Sequence, residues 1–359
     1  MWLEGVYHLQ SPLLSYHQSS THSQQSLHIY TRFFDKIGIE YSIVSWNRDG
    51  HDKSEGFQYH EPIIGPASLS QYTSYIHFVK KIIKQEKYDK LIVFGPQVAI
   101  LLSAFLLRYY KNKYIIDYRD LSIEQKNGFY QIFSLITRYS FANVISSYGF
   151  KKCLPKRNYL ISHNFDVSVV EKQLKETTDT KFNKDNVINI LTIGGIRDFE
   201  SNIEIVKAFS NHKDFRCDFV GRGIASKQIE NYCKDNGIDN VYFSGYYKKE
   251  DEASLINQCT FMNIYYPRKL SHDTAMSNRF YNSLIFKRPM IVTKNTTQGD
   301  LVEKYGVGLA IEDCSKIKED IIIFLNRDFK DYSAQCNKLL SSFLEDEMLF
   351  KNKIREFVS

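Results

Sequence analysis

The sequence predicts an α/β protein built from two doubly wound domains, and three observations carry this prediction. Short apolar segments with strand character alternate with amphipathic segments of helical period along most of the chain. The alternation stops in a charged stretch at 172–186 and restarts at Val187. The chain has 359 residues, which is enough for two cores of ordinary domain size. Strands and helices that alternate in this way form βαβ units and parallel sheets.

The first half of the chain is expected to begin with a strand at Val6–Leu9 and a polar loop at Gln10–Gln24. Further strands are expected at Tyr41–Trp46, Leu91–Phe94, Tyr114–Ile116, Asn143–Ser146 and Tyr159–Ile161, and helices at Gln25–Lys36, Tyr72–Gln85, Val98–Tyr109 and Tyr130–Phe141. In the second half, strands are expected at Val187–Ile193, Phe215–Val220, Val241–Ser244, Thr260–Tyr265 and Met290–Thr293, and helices at Asn202–Ser210, Ala225–Asp235, Lys249–Gln258 and Asp300–Tyr305.

These elements place the domain boundaries. We expect an N-terminal domain at 1–166 and a charged linker at 167–186, where the apolar period is lost. A second domain follows at 187–340. A C-terminal helix at 341–359 has no strand after it and is expected to cross back to the first domain.

The composition indicates a globular protein rather than a disordered or membrane-embedded one, with 43% hydrophobic and 25% charged residues. Its six cysteines are scattered without metal-binding spacing, which is typical of reduced thiols and of a cytoplasmic protein. The apolar run Leu91–Leu107 is cut by Gly95 and Pro96 and is too short to span a bilayer. The first residues lack the basic and apolar regions of a signal peptide.

The net charge of +6 is modest, but basic residues cluster at Lys80-Lys81 with Lys84 and at 151–157. Such clusters are usually solvated faces; the functional alternative is attraction to an anionic membrane surface or a lipid pyrophosphate. A cytoplasmic location, at the inner face of a membrane under that alternative, is the expectation. Aromatic and basic residues do not interleave in a nucleic-acid-binding motif, so nucleic acid is not an expected partner.

One helix followed by a strand, within Ser277–Val292, organises the second domain. Ser277 or Asn278 can cap the helix, and Pro289 ends it before the strand. Arg279 and Asn282 fall on the face opposite the apolar stripe, near the positive end of the helix dipole. Such an end attracts anions, phosphates in particular.

Three strand-to-helix turns of the second domain carry glycine. Glycine lets the backbone approach a ligand closely, and successive N–H groups can hold phosphate oxygens. Because the turns follow consecutive strands, we expect them to lie at one edge of the sheet, at Gly194-Gly195, Gly221-Arg222-Gly223 and Gly245. Tyr246, after the third turn, is placed to stack on a nucleobase, although a half-buried surface tyrosine is the more ordinary interpretation.

The order and spacing of several segments resemble GT-B glycosyltransferases of family 4. The similar segments cover residues 143–308 and include Asn143–Ser147, Tyr159–Asp166, Leu191–Gly195, Asp218–Gly223, Asn240–Gly245 and Lys287–Ile291. The resemblance implies a GT-B fold, in which two Rossmann-like domains face a cleft and C-terminal helices follow. It also implies a nucleotide-diphosphate sugar as donor substrate, retention of anomeric configuration, and no obligatory cofactor or metal.

The resemblance assigns the donor site to the second domain, with departures from the family pattern. The implied donor-binding residues are Gly194, Gly195, Arg197, Gly221, Arg222, Gly223, Tyr246, Asn278, Arg279 and Asn282. Gly195 stands where the family has arginine, and Arg197 could supply that charge. The two family carboxylates fall at Thr274 and Asn282; Asn282 can still bond a ribose hydroxyl, whereas Thr274 cannot replace a carboxylate. Arg279 or Arg268 would then hold the pyrophosphate.

The acceptor side is expected at Asp117, Arg119 and Asp120, which end a strand of the first domain. An aspartate there could accept the proton of the acceptor hydroxyl, and Arg119 could bind an acceptor phosphate. The alternative is an Asp–Arg pair that caps the next helix.

These observations predict a glycosyltransferase that moves a sugar from a nucleotide-diphosphate sugar to a hydroxyl acceptor. Bacterial relatives of this size build capsule, O-antigen or exopolysaccharide repeats, so the resemblance implies a glycan or polyprenyl-pyrophosphate-linked acceptor. Two alternatives stay open: a non-catalytic GT-B partner subunit, which the altered donor motifs favour, and a nucleotide-sugar epimerase, which would need more acid and base groups than the sequence places there.

Overall fold

The computed structural model describes two compact units. Its described residues are 11–14, 21–48, 56–63, 65, 67–175, 187–327, 329 and 331–359, with side chains described from residue 27 onward. Unit 1 comprises Met1–Asn164 with Asp346–Ser359, and unit 2 comprises Phe165–Glu345.

Unit 1 is a parallel sheet with helices in its crossovers. Its described strands are β1 Ser11–Leu14, β2 Tyr41–Asn47, β3 Phe57–His60, β4 Leu91–Phe94, β5 Tyr114–Tyr118, β6 Ala142–Ile145 and β7 Tyr159–Ile161. The helices between them are α1 Thr21–Ile37, α2 Leu69–Glu86, α3 Pro96–Leu101, α4 Ser103–Tyr109 and α5 Phe129–Arg138.

Unit 2 repeats this organisation. Its described strands are β8 Ile188–Ile193, β9 Phe215–Val220, β10 Val241–Gly245, β11 Phe261–Ile264, β12 Met290–Thr293 and β13 Gly308–Ile311. The helices are α6 Val167–Lys175, α7 Phe199–Phe209, α8 Ser226–Asp235, α9 Glu252–Asn257, α10 Leu270–Thr274, α11 Asn278–Ile285, α12 Thr297–Tyr305, α13 Ile317–Leu325 and α14 Tyr332–Val358, the last of which ends in unit 1.

The strand order makes both units doubly wound. Unit 1 has the order β3-β2-β1-β4-β5-β6-β7, unit 2 has β10-β9-β8-β11-β12-β13, and neighbouring strands pair in parallel. The order reverses between β1 and β4 in unit 1 and between β8 and β11 in unit 2. Ligands of open α/β sheets bind beside the carboxyl ends of the strands at such reversal points. The prediction of two doubly wound α/β domains is confirmed.

The strands form where the sequence has short runs of apolar residues. All four residues of β4, Leu-Ile-Val-Phe, are buried, as are all four of β12, Met-Ile-Val-Thr. A parallel sheet with helices on both faces buries both sides of its strands, so continuous apolar runs rather than alternating ones are expected.

The end of α14 contributes to the core of unit 1. Phe350, Ile354 and Phe357 are buried there, with the helical spacing i, i+4, i+7, in a cluster that includes α1 residues. The ring of Phe350 meets that of Tyr30 edge to face, with 5.3 Å between centroids. In the described part of the chain, no helix combines the length and apolarity required to cross a bilayer.

Several local predictions differ from the structure; the expected helix Val98–Tyr109, for example, is divided at Leu102 into α3 and α4. Residues 10–24 were expected to form a loop, but Ser11–Leu14 pairs with β2 and β4 and α1 begins at Thr21. The backbone of this polar segment has two strands to bond, which its composition does not reveal. The expected strand Val6–Leu9 lies outside the described residues.

The expected linker 167–186 is helical over its first part, where α6 is found. Asp166 starts this helix: its carboxylate accepts hydrogen bonds from the backbone N–H and hydroxyl of Ser168, at 2.9 and 2.7 Å. Val170 is fully buried. A cap and one buried valine are enough to hold the turn, although the segment lacks a broad apolar stripe. Residues 176–186 lie outside the described part.

The turns that follow β8 and β9 pack directly on each other. A Cβ atom at Gly221 would lie 2.1 Å from the Gly194 carbonyl oxygen, and one at Gly223 would lie 1.9 Å from that of Ile196. Hydrogen bonds join the same segments, from Gly194 N–H to the Val220 carbonyl at 2.8 Å and from Ile196 N–H to the Arg222 carbonyl at 3.2 Å. Only glycine permits this separation.

We therefore expect Gly223→Ala to lower the free energy of unfolding by about 1–3 kcal/mol, the range for overpacked sites. The matched control is Gly195→Ala, since neither residue has a positive φ and the added methyl group at Gly195 would meet only the Arg197 side chain, at 3.4 Å. Thermal or urea unfolding measures both. Equal stability of the two variants would contradict the close packing of the turns.

Candidate functional site

The candidate donor site lies in unit 2, at the carboxyl ends of β8 and β11. The strand order reverses there, and the turn after β8 holds Gly194 and Gly195. Gly194 has a φ of +94°, which favours glycine. The predicted edge is therefore also the position at which an α/β sheet accepts ligands.

The glycine turns offer less free backbone than the sequence suggests. The N–H groups of Gly194, Ile196 and Gly221 already donate to protein carbonyl oxygens, at 2.8, 3.2 and 2.7 Å. These bonds order the turns but remove three donors from a phosphate cradle. Gly195 and Gly223 are exposed, so a ligand can approach the backbone there.

Arg222 and Tyr246 form an exposed pair at the ends of β9 and β10. The guanidinium carbon lies 5.7 Å from the centre of the tyrosine ring, and the ring is 71% exposed. Ile224, two residues after Arg222, is 84% exposed. A flat exposed ring beside a cation can accept an aromatic base and a phosphate next to each other.

Arg279 is buried rather than open to a ligand. Its Nε donates to the Ile193 carbonyl oxygen at 2.5 Å, one terminal nitrogen donates to that of Gly195 at 2.8 Å, and the other reaches that of Asn263 at 3.5 Å. The residue is 8% exposed. The guanidinium thus joins the ends of β8 and β11, whereas the sequence suggested a pyrophosphate ligand on an open helix face.

The helix that carries Arg279 begins as the sequence predicts. The Ser277 hydroxyl accepts a hydrogen bond from the Phe280 N–H at 3.3 Å, which makes Ser277 the cap and Asn278 the first helical residue. The Ser277 hydroxyl and backbone N–H both donate to the side-chain oxygen of Gln298, a partner that the sequence did not indicate. Asn282 lies one turn further on and is partly exposed.

The carboxylate of Asp273 lies beside Thr274, the residue that stands where family 4 has a carboxylate. The Thr274 hydroxyl donates to the Leu270 carbonyl at 2.7 Å, within its own helix. Asp273 pairs with Arg268, with one Asp oxygen 3.0 Å from Nε and the other 3.1 Å from a terminal nitrogen. Sequence reasoning missed Asp273, which lines a small pocket with Tyr266 and other residues at the ends of β11 and β12. Its position directly before Thr274 was the available signal.

Asp117 and Arg119, the expected acceptor residues, form a buried pair in unit 1. Arg119 Nε and a terminal nitrogen donate to the two oxygens of the Asp117 carboxylate, at 2.5 and 2.8 Å. The Tyr30 hydroxyl donates to the same carboxylate at 2.7 Å. Asp117 is fully buried, so both of its oxygens are bonded within the protein. Burial and the charge of Asp117 hold the pKa of Tyr30 well above its usual value.

The same guanidinium connects this pair to the end of unit 1. Arg119 donates to the Ser162 carbonyl at 2.8 Å, and the next residue, His163, donates its backbone N–H to Glu347 at 2.6 Å. The His163 ring lies 3.1 Å from Asp346. Burial raises the pKa of Glu347 to about 7 and lowers the pKa of His163. Asp120, in contrast, is exposed.

The structure thus groups the predicted residues into two sets. In unit 2 it brings together the glycine turns, the Arg222–Tyr246 pair and the capped helix with Arg279. The side chain of Arg197 lies along Gly195, at 3.4 Å from the position of an added Cβ atom. In unit 1 it joins Asp117 to Arg119 but leaves Asp120 outside the pair.

Among the described residues, no group of three or more His, Cys, Asp or Glu side chains could hold a metal ion.

Known structures with this architecture are similar to almost the whole chain. Alr3699/HepE from Anabaena, crystallised in complex with UDP and glucose, matches with a TM-score of 0.66 and 10% identity over 97% of this chain and 100% of its own. Sucrose-phosphate synthase from Thermosynechococcus elongatus matches with a TM-score of 0.68 and 11% identity over 97% and 99%. The chain has the GT-B fold.

A putative UDP-N-acetylglucosamine 2-epimerase from Listeria monocytogenes is also similar, with a TM-score of 0.57 and 10% identity over 91% of this chain and 90% of its own. No protein-family model and no curated protein sequence matches the chain. At these identities the likeness concerns the fold, which transferases and epimerases share. The predicted GT-B fold is therefore confirmed, and membership of family 4 stays a prediction.

We expect the buried Glu347 to reduce stability as the pH rises. Its pKa is about 7 in the folded protein, whereas an exposed glutamate has its ordinary value of 4.5, so the native state favours the protonated acid. The stability that this proton contributes is complete below about pH 4.5 and is lost as the pH rises through 7. The variant Glu347→Gln keeps an oxygen for the His163 N–H but does not titrate, so its melting temperature should rise relative to wild type between pH 5 and pH 8.

The control for this measurement is Glu345→Gln on the exposed side of the same helix. The low pKa of His163 acts in the opposite direction, because a buried neutral histidine destabilises the fold as the pH falls. That contribution is present in both proteins and largely cancels in the difference. Parallel melting curves for wild type and Glu347→Gln across this range would show that Glu347 does not titrate there.

Proposed function

We propose that this protein is a glycosyltransferase that transfers a sugar from a nucleotide-diphosphate sugar to a hydroxyl acceptor. The observation that carries the proposal is the reversal point of the unit 2 sheet, where exposed glycine turns lie next to the Arg222–Tyr246 pair. The departing nucleotide diphosphate needs positive charge beside it, and a base needs a flat surface. The UDP and glucose bound in the similar Alr3699/HepE structure support a uridine nucleotide as the first candidate.

The residues would divide the donor between them. Tyr246 would stack on the base, and Arg222 and Arg197, both exposed, would meet the pyrophosphate. Asn278 at the start of α11, near the positive end of the helix dipole, and Asn282 one turn further on would bond ribose or phosphate oxygens. Gly195 and Gly223 would let the phosphates approach the backbone. Arg279 would act indirectly, by holding the carbonyl groups of the β8 turn in place.

The nature of the acceptor and the stereochemical outcome of the transfer are also proposals. We infer a glycan or polyprenyl-pyrophosphate-linked acceptor of capsule, O-antigen or exopolysaccharide synthesis, and retention of anomeric configuration. The similarity of the sequence segments to family 4 supports both. On the acceptor side, Asp120 is the carboxylate open to a substrate, and Asp117 with Arg119 would shape the strand end behind it.

The donor site is tested by titration calorimetry with UDP, GDP, ADP, CMP and dTDP. One of these should bind, and Arg222→Ala should weaken that binding by about 1.5–3 kcal/mol, the range for hydrogen bonds to charged groups. Arg216→Ala is the matched control, because Arg216 lies near the start of β9, at the opposite end from the turn that carries Arg222. Both variants should melt close to wild type, since surface substitutions usually change stability little.

Two results would count against this assignment. Binding of no nucleotide would remove the donor site, and equal affinities for wild type and Arg222→Ala would remove Arg222 from it. Arg279→Ala is not suited to this test, because it removes the donor to the Ile193 and Gly195 carbonyl oxygens and should lower stability as well as affinity.

A non-catalytic GT-B partner subunit is a second candidate, supported by the closed Asp117–Arg119 pair and by Thr274 at a family carboxylate position. Turnover separates the two candidates. With a matching donor and a lipid-linked acceptor, Asp120→Asn should lower kcat by at least about tenfold, because general acid–base groups typically contribute 10²–10⁴-fold. The nucleotide affinity of this variant should stay unchanged.

Asp239→Asn, an exposed aspartate of unit 2, is the control for that measurement. Full activity of Asp120→Asn would move the acceptor chemistry elsewhere. Nucleotide binding without transfer to any acceptor would favour the partner subunit. Release of an epimerised sugar nucleotide without an acceptor would favour an epimerase, the third possibility for this fold.

A further inference from the structure

Unit 1 carries a helix with apolar side chains on its exposed side as well as on its buried side. In α5, Phe133, Ile136 and Thr137 are buried against the core. Ile132 and Leu135 on the same helix are 37% and 44% exposed. Phe129 and Tyr130 in its first turn are each 37% exposed. Phe129, Ile132 and Leu135 follow one another at intervals of three residues and therefore lie along one stripe of the helix, whereas single exposed apolar residues are ordinary.

Basic side chains surround this patch. Arg157 lies beside the middle of α5 and donates to the Ser134 carbonyl at 3.2 Å. Lys111 lies at the carboxyl end, with its Nζ 4.1 Å from the centre of the Tyr139 ring, and Arg138 is 5.6 Å from the same centre. Lys126 lies at the amino end, where its carbonyl accepts the Tyr130 N–H. We call the exposed side of α5 with these four basic residues the α5 surface.

The net positive charge of the protein is concentrated in this region of the sequence. Residues 101–160 contain ten Lys or Arg and three Asp or Glu, whereas the other 299 residues contain 37 and 38. Two of the three acidic residues, Asp117 and Glu124, are fully buried. Asp120 is the one exposed acidic residue among nine exposed basic ones in this segment. The exposed charge of this segment, which contains α5, is thus almost entirely positive.

We propose that the α5 surface docks the protein on an anionic lipid bilayer. Apolar and tyrosine side chains on one side of a helix enter the boundary between headgroups and acyl chains, and flanking lysines and arginines attract anionic headgroups. A second copy of this chain is a poorer occupant, because two such surfaces would bring four basic residues against four others. The docking is independent of the transferase reaction, since it requires neither donor nor acceptor.

The test is co-sedimentation of the full chain with phosphatidylcholine vesicles that contain or lack phosphatidylglycerol. Wild type should bind the vesicles with phosphatidylglycerol more tightly, and high salt should weaken that binding. The double variant Ile132→Ser/Leu135→Ser should lose at least about tenfold in vesicle affinity. The double variant Lys111→Gln/Lys126→Gln, which removes two exposed charges of the α5 surface, should lose about thirtyfold.

Matched controls come from unit 2. Ile322→Ser/Ile323→Ser removes two exposed isoleucines of α13, and Lys248→Gln/Lys316→Gln removes two exposed lysines. Both controls should bind vesicles like wild type. All variants are compared by melting temperature, and their nucleotide affinity should not change, which separates loss of lipid binding from failure of the donor-site proposal.

The proposal is overturned if wild type does not bind phosphatidylglycerol vesicles, or if the α5 and control variants bind them equally. It is also overturned if sedimentation velocity shows that wild type self-associates and that Ile132→Ser/Leu135→Ser abolishes the association, because the apolar patch would then be covered by a second copy. A nucleotide affinity that survives in each of these cases would leave the donor site standing.

Discussion

The position of the Arg279 guanidinium is the constraint on which the candidate donor site depends. Parallel strands end with carbonyl groups pointing beyond the sheet. At the reversal point the neighbouring ends are those of β8 and β11. Arg279 donates to carbonyls from β8, from the turn after it, and from β11. A charged donor satisfies these groups at one position and fixes the turn that carries Gly195. Arg279 therefore holds the turn in place from within the protein rather than by contacting a ligand.

The sequence predicts the elements of this site better than their contacts. The Ser277 cap, the apolar stripe of α11 and the strand after Pro289 are local features, and all are found. The partners of Arg279 are 84 and 86 residues away in the chain, and no local pattern indicates that its guanidinium turns inward to meet them. The packing of the two glycine turns on each other was not predicted for the same reason, because it joins residues that are distant in the chain. Glycine indicated a close approach, but its partner is another turn, which only the tertiary structure reveals.

In unit 1 the sequence again indicates a contact between near residues but not one between distant residues. Asp117 and Arg119 are two residues apart at the end of a strand, so their side chains point to the same face and can pair. The Asp–Arg pair was one of the two interpretations that the sequence left open, although it was expected to cap a helix. Tyr30, the third member, is 87 residues away. Full burial with three donors limits what Asp117 can do, because a carboxylate whose oxygens are both bonded within the protein has no oxygen open to a substrate hydroxyl.

The distribution of charge has consequences that the total does not reveal. A net charge of +6 spread over 359 residues would create a weak field, most of which salt screens beyond about 10 Å. Four basic residues beside the exposed isoleucine and leucine of α5 create a local surface where attraction and apolar burial act together. Packing does not require those side chains to be apolar, because Phe133 and Ile136 already fill the core side of α5. An exposed apolar stripe with cations around it has the composition that an anionic lipid surface selects.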